Sequence, residues 1–206
     1  MYAIVENNEI TKLITNPKSL VIGDVRYPAK IFSVWSASEL NAIGIYEVVF
    51  DNSNKKDEKW YINTNQSFDF DGNEVTATYA TATPKAHADS LWTQDEINDG
   101  EAPEGISPGD VKTRGLKYNL IRDLKITVAN ELAKTDWYIT RNTEKSTAIP
   151  SAISTHRDAV RTKQTEMETA ITNASDTPAL ETLYTYTKDS DGVQSRPLGE
   201  LPTLES

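Results

Sequence analysis

The sequence predicts an α+β protein: a small antiparallel β-rich N-terminal domain with one short helix, then an α-helical hairpin domain, then an extended C-terminal tail. Three observations carry that expectation. Residues 1–88 hold short β-branched and aromatic runs punctuated by Asn, Gly, Asp and Pro; residues 111–183 hold apolar residues at helical spacing; residues 89–110 between them are acidic and rich in turn formers.

Taken in order, Tyr2-Ala3-Ile4-Val5 and Ile10 to Ile14 flank Asn7-Asn8. Asparagine tolerates positive φ, so the three pieces form a hairpin, ended by Asn16-Pro17. Val21-Ile22 and Val25-Arg26-Tyr27 repeat the arrangement around Gly23-Asp24, with Pro28 as the stop. Ser36-Ala37-Ser38-Glu39 has capping-box spacing, in which hydroxyl and carboxylate each satisfy a free N–H of the first helical turn. A short helix through Ile43 comes next, and Gly44 supplies the left-handed stop before the strand Ile45 to Phe50. After a polar loop from Asp51 to Lys59 come strands at Trp60–Ile62, Ser67–Phe70 and Val75–Tyr79, the last two joined at Asp71-Gly72.

Residues 89–110 contain seven acidic residues and no basic one, with Pro103, Pro108 and three glycines. So little apolar surface does not offset ordering entropy, which makes this stretch a linker and places the domain boundary in it. Beyond it, Leu116, Leu120, Leu124, Val128 and Leu132 recur every four residues, with Ile121 on the same stripe. Ile153, Val160, Met167 and Ile171, joined by Ala159 and Ala170, repeat the pattern. Ser146 to Ser151 breaks the two runs apart, because the residue before Pro150 is pushed out of the α region and a serine can cap the second helix. Neither arm buries its stripe alone, so a helical hairpin over 111–183 is expected. The tail, 184–206, is polar and turn-rich, and is expected to run over a neighbour's surface.

Composition bounds the chemistry. A chain of 206 residues with 37% hydrophobic residues can bury a modest core, and the absence of cysteine excludes disulfides, thiolate metal sites and a cysteine nucleophile. No apolar run is long enough for a membrane helix, and Met1 to Ile10 lacks the basic start and apolar block of a signal peptide, so cytoplasmic folding away from membranes is expected. The net charge of −10 lies in the first half: residues 1–110 hold 8 Lys or Arg against 18 Asp or Glu, whereas residues 111–206 hold 13 of each. Within the second half, residues 111–163 carry 11 basic side chains against 5 acidic, which invites an acidic partner. The whole-chain excess of acid disfavours nucleic acid.

No cofactor or metal is expected. His87 and His156 are the only imidazoles, and no Gly-x-Ser-x-Gly, Walker or Gly-x-Gly-x-x-Gly motif occurs. His156 is expected to pack, hydrogen-bonded, on the inner face of the second helix. Asp69 to Glu74 places oxygens at alternate positions but lacks the closing glutamate of a calcium loop, so turn chemistry explains it. Trp60, Tyr61, Phe68, Phe70 and Tyr79 admit a sugar-binding face, although strand alternation sends about half of such residues into a core.

Trp137 has two readings that do not exclude each other. It is a bulky plug where the first helix meets a turn, with Thr135 or Asp136 capping the next segment, or it is an anchor for a partner's pocket, rimmed by Arg141, Arg157 and Arg161. The run Arg122 to Leu132, then Thr135-Asp136-Trp137, then His156-Arg157 and Val160-Arg161, resembles the signature of bacteriophage tail-assembly-chaperone-type domains. In that signature an Arg-rich helix leads into leucine-leucine-alanine-x-threonine-aspartate-tryptophan, with tyrosine-arginine-x-x-leucine-arginine downstream. Here His156 stands for the tyrosine and Val160 for the leucine.

The resemblance implies a non-enzymatic protein that binds tail fibre or baseplate components, either as a virion component or only during assembly. It implies synthesis in the host cytoplasm, a place in the virion tail and several copies in a symmetric assembly. The expected partner-binding residues are Trp137, Tyr138, Arg141, Arg157 and Arg161. A host-surface glycan-binding module and a transient fibre-folding chaperone are the alternatives, with a carboxylate hydrolase as a further class.

Overall fold

A computed structural model describes residues 1–64 and 66–204, and its contacts divide the chain into two units, Met1–Thr83 and Pro84–Ser206. The protein is mixed α+β. The division falls ahead of the acidic stretch, so residues 89–110 belong to the second unit rather than linking two domains.

The first unit opens with β1 (Tyr2–Glu6) and β2 (Glu9–Ile14), an antiparallel hairpin. Both loop residues are left-handed, Asn7 at φ 53° and Asn8 at φ 65°, which matches the twist of the strands they join. β3 (Leu20–Ile22) and β4 (Val25–Tyr27) form the second hairpin. Next comes α1 (Ile31–Val34), a single turn the sequence pattern does not announce, and α2 (Ala37–Asn41). The capping box forms: Glu39 N–H donates to Ser36 Oγ (3.3 Å), and Ser36 N–H to Glu39 Oε2 (2.8 Å). Gly44 sits at φ 79°, where an added Cβ would lie 2.7 Å from the Val5 carbonyl oxygen, so both backbone sign and space demand glycine.

β5 (Ile45–Asp51), β6 (Tyr61–Ile62), β7 (Ser67–Phe70) and β8 (Val75–Thr78) complete the unit, and β9 (Thr83–Pro84) straddles the division. The main sheet has the order β2-β1-β5-β8-β7. One pairing corrects the antiparallel expectation: β5 and β8 run parallel, with Val48 opposite Val75. The long excursion between them gives the chain length to cross over, which parallel pairing requires. The edge strands β2 and β7 touch, so the sheet curls. Its inner face buries Ala3, Val5, Val48, Val75 and Ala77, and its other face packs Ile45 with Ile31 and Leu40 from the two helices. Trp60 and Tyr61 are each 3% exposed, and Phe68 and Phe70 pack on the inner cluster, so these aromatics form no open sugar platform. The Asp71 carboxylate accepts the Asn73 and Glu74 N–H groups at 2.8 Å each, which makes the apparent calcium loop an Asp-stabilised turn.

In the second unit the acidic stretch is an ordered lobe. β10 (Ser90–Leu91) pairs antiparallel with β11 (Val111–Thr113), and α3 (Gln94–Asn98) between them starts with a capping box from Thr93 and Glu96. Trp92, Ile97, Ala102 and Ile106 are half-buried, and Trp92 N–H donates to Asp110 O (2.8 Å). Strand pairing, the capping box and the partial burial of these four residues offset the ordering entropy that composition alone leaves unopposed.

α4 (Leu116–Ala133), α5 (Asp136–Lys145), α6 (Ser151–Asn173) and α7 (Thr177–Tyr184) complete the helices. The first free N–H groups of α4 donate to the Ala86 and His87 carbonyls, and Gly115 N–H donates to Asp89 Oδ1 (2.7 Å). α4 and α6 pack as the arms of the hairpin, burying Leu120, Leu124 and Val128 against Ile153, Val160, Met167 and Ile171. The first arm is split, ending at Ala133 and restarting at Asp136. α6 starts from Pro150 with no side-chain cap, so Ser151 does not cap it.

The C-terminal segment also differs from expectation. Beyond α7, β12 (Thr187–Lys188) and β13 (Gln194–Ser195) form a hairpin. Leu198, 3% exposed, then returns to the unit, its N–H donating to Leu183 O (3.0 Å). A buried leucine and a hairpin hold residues 184–204 on their own chain; positions 205 and 206 of the expected tail lie outside the described residues.

Candidate docking site on the helical unit

The split between α4 and α5 is closed by Arg157 of α6. Its Nη1 donates to the Leu132 carbonyl (2.8 Å), the Thr135 hydroxyl (2.7 Å) and the Asp136 carboxylate (2.8 Å). Leu132 O is an end carbonyl of α4, past the regular helical ladder and also reached by the Thr135 N–H of the bend (3.1 Å), and Asp136 stands in the first turn of α5. One cation therefore answers the negative end of one helix and the carboxylate at the start of the next. Thr135 is 1% exposed, and its hydroxyl donates in turn to Leu132 O (3.0 Å).

This joint reassigns two expectations. Arg157 is buried at 8% exposure, so it braces the fold instead of rimming an interface. Thr135 spends its hydroxyl on Arg157 and Leu132, and caps no N–H of α5. His156 is buried beside it as expected, but its Nε2 has no hydrogen bond and lies 3.4 Å from Glu131 Oε1. The Glu131 carboxyl is held below its ordinary value mainly by its hydrogen bond from Lys134.

The joint mounts α5, a helix with no buried residue. Trp137 is 52% exposed and so is not the core plug. Its ring lies against the half-buried Tyr138 ring, centroids 3.9 Å apart, and the Arg141 guanidinium stands 5.7 Å from the Trp137 centroid. Arg161 is exposed and pairs within α6 with Asp158 (3.3 Å), outside this cluster. Of the five expected partner-binding residues, Trp137, Tyr138 and Arg141 come together on α5, Arg157 lies behind them, and Arg161 is elsewhere.

Ile139 and Lys145 also stand on α5, beyond the five expected residues. Among the described residues, every other Lys or Arg between 111 and 163 has a carboxylate or carbonyl partner within its own unit, for example Lys112 with Glu96 (2.6 Å), Arg114 with Asp89 (2.6 Å), and Lys117 with Thr172 O (2.8 Å). Arg141 and Lys145 have none. They succeed Trp137 at four-residue steps, so the three lie along one line of the helix. That spacing is visible in the sequence, but the internal pairing that leaves only these two cations free is not.

The outer face of α4 forms a groove lined by Tyr118, Ile121, Arg122, Lys125, Ile126 and Ala129. Among the described residues no group of three or more His, Cys, Asp or Glu is arranged to hold a metal ion. Compared with protein-family models, curated proteins and solved structures, the chain finds no match.

Proposed function

We propose that this chain is a non-enzymatic accessory protein of a bacteriophage tail, joined to fibre or baseplate proteins through its helical unit and present in several copies. The observation that supports it is the joint. Thr135-Asp136 and Arg157, on which the tail-assembly resemblance rests, stand 22 and 21 positions apart in pairs, yet are hydrogen-bonded into one bracket that turns Trp137 outward. An exposed tryptophan on a braced helix, with an arginine over its ring, has the chemistry of an interface anchor. Synthesis in the host cytoplasm and residence in the virion tail belong to the same reading.

Affinity capture of the full-length protein from phage-producing cells tests it. Fibre or baseplate proteins are the expected companions, and mass spectrometry of purified particles separates a lasting component from a chaperone that leaves. Capture of host glycans in place of tail proteins would overturn it. Trp60 and Tyr61 are buried, so two of the five aromatics offered for a glycan-binding face are not open to a ligand.

A further inference from the structure

We propose that the Trp137 face of α5 binds the acidic lobe of a second copy of the chain, chiefly its residues 94–105. The inference rests on the docking role given above to this face, and names its occupant.

Three observations converge on it. First, Arg141 and Lys145 are the cations between 111 and 163 left without an anion among the described residues, and they share a line with an exposed tryptophan on a helix with no fully buried residue. Second, the lobe presents the complementary charge. Asp95, Asp99, Glu101 and Glu104 are exposed and, among the described residues, make no ion pair or side-chain hydrogen bond, while Asp89, Glu96 and Asp110 are used inside the lobe. Third, the lobe is already folded, by strand pairing and by the Lys112–Glu96 pair, so docking it costs little ordering entropy.

Charge also decides between occupants. Two α5 faces meeting each other would oppose like charges, and a nucleic acid would be repelled by a chain of net charge −10. Residues 89–110 hold seven acidic residues and no basic one. Each copy carries one surface of each kind, so the contact either closes reciprocally into a two-fold dimer or repeats head to tail into a ring or a filament. The repeating form suits a protein placed around or along a symmetric tail.

Sedimentation of the full chain in low and moderate salt tests the contact. Concentration-dependent association is expected in low salt, and it should weaken once salt screens the pair. Arg141→Glu with Lys145→Glu should give monomers. So should Asp99→Lys with Glu101→Lys and Glu104→Lys, whereas mixing the two variants should restore association because the charges are exchanged. Circular dichroism checks folding, and if a multiple variant fails to fold, Arg141→Gln alone should raise the dissociation constant about 5-fold or more.

A wild-type chain that stays monomeric in low salt would overturn the contact, whatever acidic peptide or oligonucleotide it binds. Undiminished association of either charge variant would overturn it too, as would a mixture that stays monomeric. Tail capture without self-association would refute this contact alone. Self-association without tail capture would refute the tail reading and leave the contact standing.

Discussion

At Arg157 one guanidinium answers three acceptors, so its loss would strip a helix-end carbonyl, a buried hydroxyl and a carboxylate of their shared donor. Arg157→Ala is expected to destabilise the helical unit by about 1–3 kcal/mol, because a buried hydroxyl and a helix-end carbonyl lose a charged donor, and Arg157→Lys by less, since the charge stays. Arg161→Ala, by contrast, removes an exposed pair with Asp158 and should cost about 1 kcal/mol or less. Urea unfolding followed by far-ultraviolet circular dichroism measures all three. Thr135, Asp136, Trp137 and Arg157 stand out together in the sequence, through the Thr-Asp-Trp and His-Arg spacing, but their roles do not. Arg157 and Arg161 occupy the same helix four positions apart, and only the partner across the hairpin makes one a brace and the other a surface charge. Trp137 suffers from the same blindness: an aromatic at a helix bend is compatible with core or surface until the helix restart at Asp136 fixes where it points.

The α4–α6 seam is the element that holds the second unit. Leu124 at 8% and Val128 at 3% exposure lie in it, so Leu124→Ala is expected to cost about 2–5 kcal/mol, and Val128→Asp more because it buries an unpaired carboxylate. Unchanged denaturation midpoints for both would contradict the packing. The acidic lobe answers to pH instead. The Glu96 carboxyl is lowered from 4.5 to about 2, first by its hydrogen bond from Lys112 and then by the Thr93 N–H. A carboxyl depressed by folding favours the folded lobe above its unfolded value, and that contribution is lost as pH falls from 4.5 toward 2. The Thr93 amide resonance should track that window, and Lys112→Met should move it upward. Periodicity made the hairpin arms legible, since a four-residue apolar step has one geometric meaning. The lobe was not legible as a folded element because its support is long-range, Leu91 opposite Val111 and Trp92 bonded to Asp110. Its Thr93-x-x-Glu96 box was the available signal. The parallel pairing of β5 with β8 was hidden likewise, because alternation specifies faces and not neighbours.

For the molecule as a whole, most of the positive charge of residues 111–163 is taken up in ion pairs within the second unit, while the chain keeps its acidic excess. Lys112 and Arg114 neutralise carboxylates of the lobe next to them, so the bulk charge of residues 111–163 overstates what a partner meets. Binding through Arg141 and Lys145 should therefore weaken with salt only modestly, in proportion to two cations, whereas an affinity independent of salt would remove charge from the interface. No helix among the described residues is long and apolar enough to cross a membrane, and protein contacts are the interactions proposed for this surface. The most direct measurement is capture of tail proteins from phage-producing cells by the full-length chain and by its Trp137→Ala form, with melting temperatures recorded for both. The wild type should recover fibre or baseplate proteins, and the variant should bind them more weakly by about 2 kcal/mol or more at an unchanged melting temperature, since Trp137 is 52% exposed. Recovery of no tail protein by the wild type, or equal recovery by the variant, would contradict the docking role of α5.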